Sequence, residues 1–255
     1  MQIVGYETGG ADANQAALVL SERGRPERVP LTPGTELSYT LRERHCAGAL
    51  ADGEHVACDA NAAPYCRDHR STWPCAVCTG DCDMPLESCG EEHAVYLAAF
   101  APRTFKVGVT RLWRLETRLR EQGADRAAHV RTVRDGRLAR VIEARISRER
   151  GIPDRVRVQT KRDGLHRAVD EDAWADLLAD FEVLEPFEFD YGLDLPARPV
   201  AETLATGTVR GTQGRLLVLD HAGSSYAVDV RDLVGYDVDP VATNRDVQSS
   251  LGTFG

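Results

Sequence analysis

The sequence has almost no lysine: Lys106 and Lys161 are the only lysines among its 31 basic residues, and the other 29 are arginines. It has no run of the roughly 18–20 consecutive apolar residues that a membrane span needs. Its first residues, MQIVGYETGG, contain no basic stretch followed by an apolar one. These absences predict a protein that is neither membrane-embedded nor secreted, and we expect it to be cytoplasmic. Scarce lysine with 40 acidic residues is typical of a GC-rich genome and of a salt-loving host.

The composition is that of a folded, globular protein. The chain has 255 residues, of which 42% are hydrophobic and 28% are charged, so it is neither disordered nor fibrous. This length suits one large domain or two to three small ones, with enough chain to bury a sizeable core.

Charge is distributed very unevenly along the chain. The formal net charge is −9, but residues 101–162 contain 18 basic and seven acidic side chains and therefore carry +11, while the rest carries −20. Such a stretch can simply be a solvated helix face. Guanidinium groups, however, bind phosphate oxygens in bidentate geometry. The basic segment therefore predicts a nucleic-acid partner, DNA or RNA, despite the acidic net charge.

Cysteine is absent outside residues 46–89, where all seven cysteines lie. An odd number, without a secretory leader, argues against a framework of disulfides. Zinc suits the spacing better, because tetrahedral sites commonly take two ligands from one tight knuckle. A redox dithiol, an iron–sulfur site and unligated thiols remain as alternatives.

Two groups of ligands follow from the spacing. The knuckle Cys-Ala-Val-Cys begins the first group, a four-cysteine site made of Cys75, Cys78, Cys82 and Cys89. A second site can be formed by Cys46, Cys58, Cys66 and His69, with His45, His55 and His93 as competing ligands. Residues 51–73 have little periodic apolar sequence and would hardly fold without metal, so we expect zinc to be structural.

The predicted fold class is α+β, in five segments. They are a β-rich N-terminal arm (1–44), a cysteine-rich zinc module (45–93), an α/β unit of the order β-β-α-β-α (94–185), a β-rich C-terminal module that could pack with the N-terminal strands (186–241) and a loose tail (242–255). Strands are predicted at 1–6, 17–22, 36–41, 94–100, 105–110, 127–133, 203–209, 214–220 and 225–230. Helices are predicted at 112–122, 138–150 and 173–184.

Motifs in the predicted hairpin of residues 94–110 and on a predicted strand near the C-terminus resemble those of a known family. They are His93-Ala-Val-Tyr-Leu-Ala98 with Lys106-Val-Gly-Val-Thr-Arg111, and Gly207-Thr-Val-Arg-Gly-Thr-Gln-Gly-Arg-Leu-Leu217. Together with the cysteine-rich segment upstream, they resemble the domain-of-unknown-function family 2797 over residues 37–236. The resemblance implies a zinc segment and no particular activity.

The same hairpin is more distantly similar to the GIY-YIG nuclease superfamily, whose fold is the β-β-α-β-α unit. The resemblance implies Tyr96 as base, Lys106-Val-Gly in place of the second tyrosine motif, and Arg118 as phosphate clamp. It also implies Glu143 as the ligand of a magnesium ion. Arg111, Arg114 and Arg120 are the expected nucleic-acid contacts. Gln122 stands roughly where a histidine often follows the arginine.

Three functions therefore compete. The first is a zinc-containing, magnesium-dependent endonuclease of the GIY-YIG type. The second is a zinc-stabilised adaptor that binds nucleic acid without cleaving it. The third is a zinc-stabilised module that recognises another protein, with its arginines paired internally to its many acids.

Overall fold

The computed structural model describes residues 1–9, 15–70 and 87–245. Within these residues the protein is a strand-rich α+β molecule that separates into two units, residues 1–71 with 191–255 and residues 72–190. The strands are β1 Gln2–Glu7, β2 Ala17–Glu22, β3 Arg25–Pro30, β4 Glu36–Arg44, β5 Ala49–Ala51, β6 Glu54–Val56, β7 His93–Phe100, β8 Thr104–Arg111, β9 Arg126–Val133, β10 Glu185–Glu188, β11 Val200–Ala201, β12 Ala205–Gln213, β13 Leu216–His221, β14 Ser224–Asp229 and β15 Tyr236–Asp239. The helices are α1 Leu115–Gln122, α2 Gly136–Arg150, α3 Val158–Gly164, α4 Glu171–Leu178 and α5 Val230–Leu233. No described helix is both long and apolar enough to cross a membrane.

The first unit is built on a nine-stranded sheet with the order β11-β14-β13-β12-β4-β15-β1-β2-β3. Strand β4 pairs with β12 on one side and with β15 on the other, so strands from both ends of the chain share one sheet. The core is aliphatic and includes Leu18, Leu37 and Leu217, each at most 1% exposed. Its aromatic member, Tyr226, donates a hydrogen bond of 2.8 Å to the carbonyl of Thr206. Burial of that phenol raises its pKa above the usual value.

The second unit contains an antiparallel sheet with the order β10-β9-β7-β8. Alternate residues of β7 point to opposite faces of this sheet. Val95 and Leu97 pack on one face, in a core that also contains Ile142 of α2 and Trp174 of α4. Tyr96 therefore belongs to the other face, and its register partner on β8 is Gly108.

The predicted strands and helices correspond to elements of the structure, but eight elements of the described residues were not predicted: β3, β5, β6, β10, β11, β15, α3 and α5. Strand β3 was not predicted, because its sequence Arg-Pro-Glu-Arg-Val-Pro has neither apolar alternation nor strand propensity; it pairs as the edge strand of the large sheet, where proline is tolerated. Helix α3 was not predicted either. The helix predicted at 173–184 begins earlier, at Glu171, and ends at Leu178.

Asp135 caps α2, and its replacement by alanine is expected to destabilise the protein by about 1 kcal/mol at pH 7. Its carboxylate accepts a 2.7 Å hydrogen bond from the backbone N–H of Leu138. This bond, with help from Arg134, lowers the pKa of Asp135. The stabilisation is thus complete above the unfolded-state pKa of about 4 and is lost as the pH falls through the lower folded-state pKa.

Urea unfolding at pH 7 and at pH 3, followed by circular dichroism, measures this effect. Asp154→Ala is the control, since Asp154 is half-exposed and its one ion pair within the described residues is with Arg155, at 3.7 Å. We expect the control to change stability by less than about 0.5 kcal/mol. Equal stability of the two variants at pH 7 would contradict the capping role.

Candidate metal centre

Cys46, Cys58, Cys66 and His69 converge in the first unit. Their ligand atoms, three sulfurs and one imidazole nitrogen, all lie within 4.8 Å of one another. Nδ1 of His69 is 3.4 Å from Sγ of Cys46 and 3.3 Å from Sγ of Cys66. Tetrahedral zinc with Zn–S and Zn–N bonds of about 2.3 and 2.0 Å places sulfur and nitrogen about 3.5 Å apart. The four side chains therefore fit one zinc ion.

Backbone N–H groups surround the sulfurs. Sγ of Cys46 accepts hydrogen bonds from the amides of Cys66 and Gly48, at 3.2 and 3.4 Å. The amide of His69 lowers the pKa of Cys66 to about 7. The lower pKa favours the thiolate of Cys66, which is the form that binds zinc. The amide of Ala60 would lower the pKa of Cys58, but burial and the neighbouring sulfurs outweigh it and raise that pKa. Gly48 has a φ of 64°. A Cβ there would lie 2.0 Å from the carbonyl oxygen of Val56, so this turn requires glycine.

The loop that carries the ligands is held by backbone hydrogen bonds and by Ala47 and Tyr65, which lie in or against the core of the first unit. The amide of Cys46 donates to the carbonyl of Ala60 and the amide of Ala47 donates to the carbonyl of Pro64, each at 2.9 Å. The regular structure of residues 49–56 is a short hairpin, in which β5 and β6 have three residues each. This agrees with the expectation that the segment has little reason to fold without a metal.

The three competing histidines have other partners. Nδ1 of His45 lies 2.9 Å from the carbonyl of Cys58, Nε2 of His55 lies 2.8 Å from that of Ala47, and Nδ1 of His93 lies 2.7 Å from that of Glu91. Burial alone would lower the pKa of His45, but the Cys58 carbonyl and the Asp237 carboxylate outweigh it and raise that pKa. Among the described histidines, His69 alone joins a group of metal-ligating side chains.

The donor set indicates a structural role for the ion. Three thiolates and one imidazole complete a tetrahedron, which is the arrangement of structural zinc sites, whereas catalytic sites keep one position for water. An iron–sulfur cluster fits this donor set less well, because such clusters are usually held by four cysteines. No disulfide joins the described cysteines, which are Cys46, Cys58, Cys66 and Cys89.

The predicted four-cysteine site falls mostly outside the described residues. Cys75, Cys78 and Cys82 lie in the part of the chain that is not described. Cys89 lies in a 3₁₀ turn, Glu87–Gly90, directly before β7, and is partly buried. This site stays a prediction.

Two of the predicted catalytic residues, Tyr96 and Lys106, both form a hydrogen bond with Gln122. The hydroxyl of Tyr96 accepts a 2.5 Å hydrogen bond from Nε2 of Gln122, and Nζ of Lys106 donates a 3.0 Å hydrogen bond to Oε1 of the same amide. Tyr96 is 1% exposed and Lys106 is 8% exposed. A Cβ at Gly108 would lie 2.4 Å from the Tyr96 ring, so glycine lets the ring cross the neighbouring strand. Gln122 thus holds both side chains inside the unit.

Glu143 does not join them. It lies on α2, which packs through Ala139 and Ile142 on the Val95 side of the sheet, whereas Tyr96 points to the other side. Its carboxylate is buried and receives Nη1 of Arg140 at 2.7 Å. Among the described residues it belongs to no group of three metal-ligating side chains. These surroundings do not fit a magnesium ion, which needs several oxygen ligands.

The predicted phosphate-binding arginines are held by carboxylates. Arg114 and Arg118 share Glu121, with distances of 2.8 and 3.0 Å. Arg120 pairs with Glu116 at 2.9 Å, and its guanidinium also lies 4.8 Å from the centre of the Phe189 ring. Arg111 approaches Glu91 at 3.5 Å.

Acids neutralise much of the basic segment. Eleven of its 18 basic residues have an ion-pair partner among the described residues, several of them outside residues 101–162, such as Asp170, Asp180 and Glu188. Residues 72–190 contain 19 basic and 22 acidic side chains. Five exposed arginines of this unit have no such partner in the described part of the chain: Arg131, Arg145, Arg148, Arg157 and Arg167.

The family described as "Protein of unknown function (DUF2797)" matches residues 45–238. The chain belongs to this family. The matched region contains all four ligands of the metal cluster and both sheets except the first strands, β1 to β4, of the larger one. No curated protein and no solved structure matches the chain. Membership in DUF2797 therefore identifies the family without naming an activity, and the functional argument depends on the geometry of this chain.

Proposed function

We propose that this protein is a zinc-stabilised nucleic-acid-binding protein that does not cleave its ligand. Support for a nucleic-acid ligand comes from the five exposed arginines without an ion-pair partner in the described part of residues 72–190. Arg145 and Arg148 are three residues apart on α2, so their side chains lie on one side of that helix. A guanidinium group that no carboxylate holds is available for phosphate oxygens.

The zinc has a structural role in this proposal. The closed set of three cysteines and one histidine supports it, because such a site leaves no position for a reacting water. The ion would hold residues 46–69, which have few apolar contacts of their own, in one conformation. Binding would then be the task of the rest of the chain.

The buried Tyr96 supports the absence of hydrolysis. Its hydroxyl is engaged by Gln122, and Glu143 lies on a helix that packs on the opposite face of the sheet. A base and a metal ligand for the same phosphate must face the same cavity. The ion pair with Arg140 accounts for a buried carboxylate at Glu143 without a metal-binding role.

The Arg145→Glu, Arg148→Glu double variant is expected to bind nucleic acid about tenfold more weakly than wild type. The slope of log affinity against log salt concentration should be smaller in magnitude by about two, since two phosphate contacts are lost. Fluorescence anisotropy with labelled DNA and RNA between 50 and 300 mM salt, concentrations chosen to span the usual fall in affinity, measures both quantities.

Arg23→Glu with Arg25→Glu is the matched control. Both residues are exposed in the first unit, neither has an ion-pair partner in the described part of the chain, and the change in net charge is the same. The control should bind within about twofold of wild type, less than one lost phosphate contact. Wild-type protein that binds no nucleic acid at low salt would contradict the proposal and favour the protein-recognition function, for which the eleven ion-paired residues of the basic segment are the support.

A magnesium-dependent GIY-YIG-type endonuclease is the second candidate. The order of elements favours it: Tyr96 on β7, Gly108 on β8, Arg118 on α1 and Glu143 on α2 follow the order that the resemblance implies. Incubation of supercoiled plasmid with wild-type protein and magnesium tests it. We expect no nicking; nicking that Glu143→Ala abolishes would establish the nuclease instead.

A further inference from the structure

Trp113 is unusually exposed for a tryptophan. Its exposed fraction is 70%, the highest of any large hydrophobic residue in the described part of the chain. Tryptophan is normally well buried, because its ring removes a large apolar area from water. Trp113 lies in the 3₁₀ turn Leu112–Arg114, between the end of β8 and the start of α1.

The exposed ring is held in position. Its Nε1–H donates a 3.1 Å hydrogen bond to Oε2 of Glu91. The guanidinium groups of Arg111 and Arg114 each lie 5.9 Å from the centre of the ring, within the range of cation–π attraction. The same Glu91 oxygen also receives Arg111, at 3.5 Å. The indole is therefore oriented before any ligand arrives, which reduces the entropy lost on binding.

The two guanidinium groups beside the ring, those of Arg111 and Arg114, are paired with carboxylates. Arg111 approaches Glu91, and Arg114 shares the carboxylate of Glu121 with Arg118. These pairs are partly exposed, and such pairs are weak in water. A phosphate can therefore replace a carboxylate as the partner of one guanidinium group with a small loss of ion-pair free energy.

We infer that Trp113 is a stacking platform for an unpaired base of single-stranded nucleic acid, with Arg111 and Arg114 on the adjoining phosphates. This inference rests on the proposed nucleic-acid binding and names its ligand class. An exposed aromatic ring beside basic groups is the arrangement by which proteins bind single strands, since every base offers a flat face. In a duplex these faces are covered by neighbouring base pairs, so a ring at the surface cannot reach them.

Trp113→Ala is expected to weaken binding of an oligo(dT) single strand about tenfold, while binding of a duplex changes by less than about twofold. Trp113→Phe keeps a flat ring and should retain most of the affinity. Leu184→Ala is the control: it truncates a different exposed hydrophobic side chain of the same unit and should bind like wild type. Fluorescence anisotropy measures affinity, and circular dichroism verifies that each variant is folded.

Tryptophan fluorescence measures stacking of a base on the indole directly. Stacked bases quench an indole, so oligo(dT) should quench wild-type protein more than Trp113→Phe. Equal affinity of wild type and Trp113→Ala for the single strand would overturn the inference and assign the ring to a protein partner, while leaving duplex binding in place. Wild-type protein that binds neither single strand nor duplex would overturn the proposed function and this inference together.

Discussion

His69→Ala is expected to lose one equivalent of zinc per chain relative to wild type and to unfold at a temperature about 10 °C lower. Nδ1 of His69 lies within 3.4 Å of two of the cysteine sulfurs, so its removal opens the tetrahedron and leaves three thiolates. An ion that binds only the folded protein, present at a thousand times its dissociation constant, stabilises it by about 4 kcal/mol. Loss of that amount corresponds to a shift of about 10 °C for a chain of this size.

Elemental analysis of purified protein and thermal unfolding with and without a chelator measure the two effects. The chelator should lower the unfolding temperature of wild type and change that of His69→Ala much less. His221→Ala is the matched control, because His221 lies at the end of β13 and, among the described residues, its imidazole hydrogen-bonds only to the carbonyl of Arg245. Unchanged zinc content in His69→Ala would exclude histidine as a ligand. Any metal at the predicted Cys75–Cys89 site would be present in all three proteins and would cancel in the comparison.

Trp174→Ala is expected to destabilise the protein by about 3–5 kcal/mol, the usual cost of removing a large aromatic side chain from a core. Trp174 is 7% exposed on α4 and belongs to the core that α2 and the sheet of the second unit form. Its ring centre lies 5.8 Å from that of Phe105. The surrounding side chains cannot fill the volume of an indole, so a cavity remains.

The chain supplies a control of the same residue type for this second prediction. Trp113→Ala removes an indole that is 70% exposed and should change stability by less than about 0.5 kcal/mol. Urea unfolding followed by far-ultraviolet circular dichroism measures both variants. Equal destabilisation of the two would show that Trp113 is packed in solution, which would contradict its proposed role as a stacking platform.

Local sequence signals were sufficient for the central hairpin and for the existence of the metal cluster. The apolar run Ala-Val-Tyr-Leu-Ala-Ala-Phe and the turn after it predict β7 and β8, because both elements depend on neighbouring residues. The spacing of Cys66 and His69 offers a pair of ligands for the same reason. Competition among His45, His55, His69 and His93 could not be resolved from spacing, because the folded backbone decides which rings meet a carbonyl: those of Cys58, Ala47 and Glu91 engage the other three.

Tertiary structure gives two sets of predicted functional residues partners within the protein itself. Glu143 was expected to be a magnesium ligand; its carboxylate is buried and pairs with Arg140. The basic segment carries a formal +11, and carboxylates outside it, such as Asp170 and Glu188, pair with some of its arginines; its predicted nucleic-acid partner stays a prediction. Trp113 was not singled out, although an aromatic residue between Arg111 and Arg114 is a visible signal.

The sequence by itself determined the kinds of chemistry available: seven thiols in one window, almost no lysine, and a concentration of arginine. Only the tertiary structure decided which of these groups meet. Strand alternation assigned Tyr96 and α2 to opposite faces of one sheet, and pairing of β4 with β12 and β15 joined strands from the two ends of the chain. The physical reason is that ligation, ion pairing and burial depend on distances in space, which local sequence patterns do not encode.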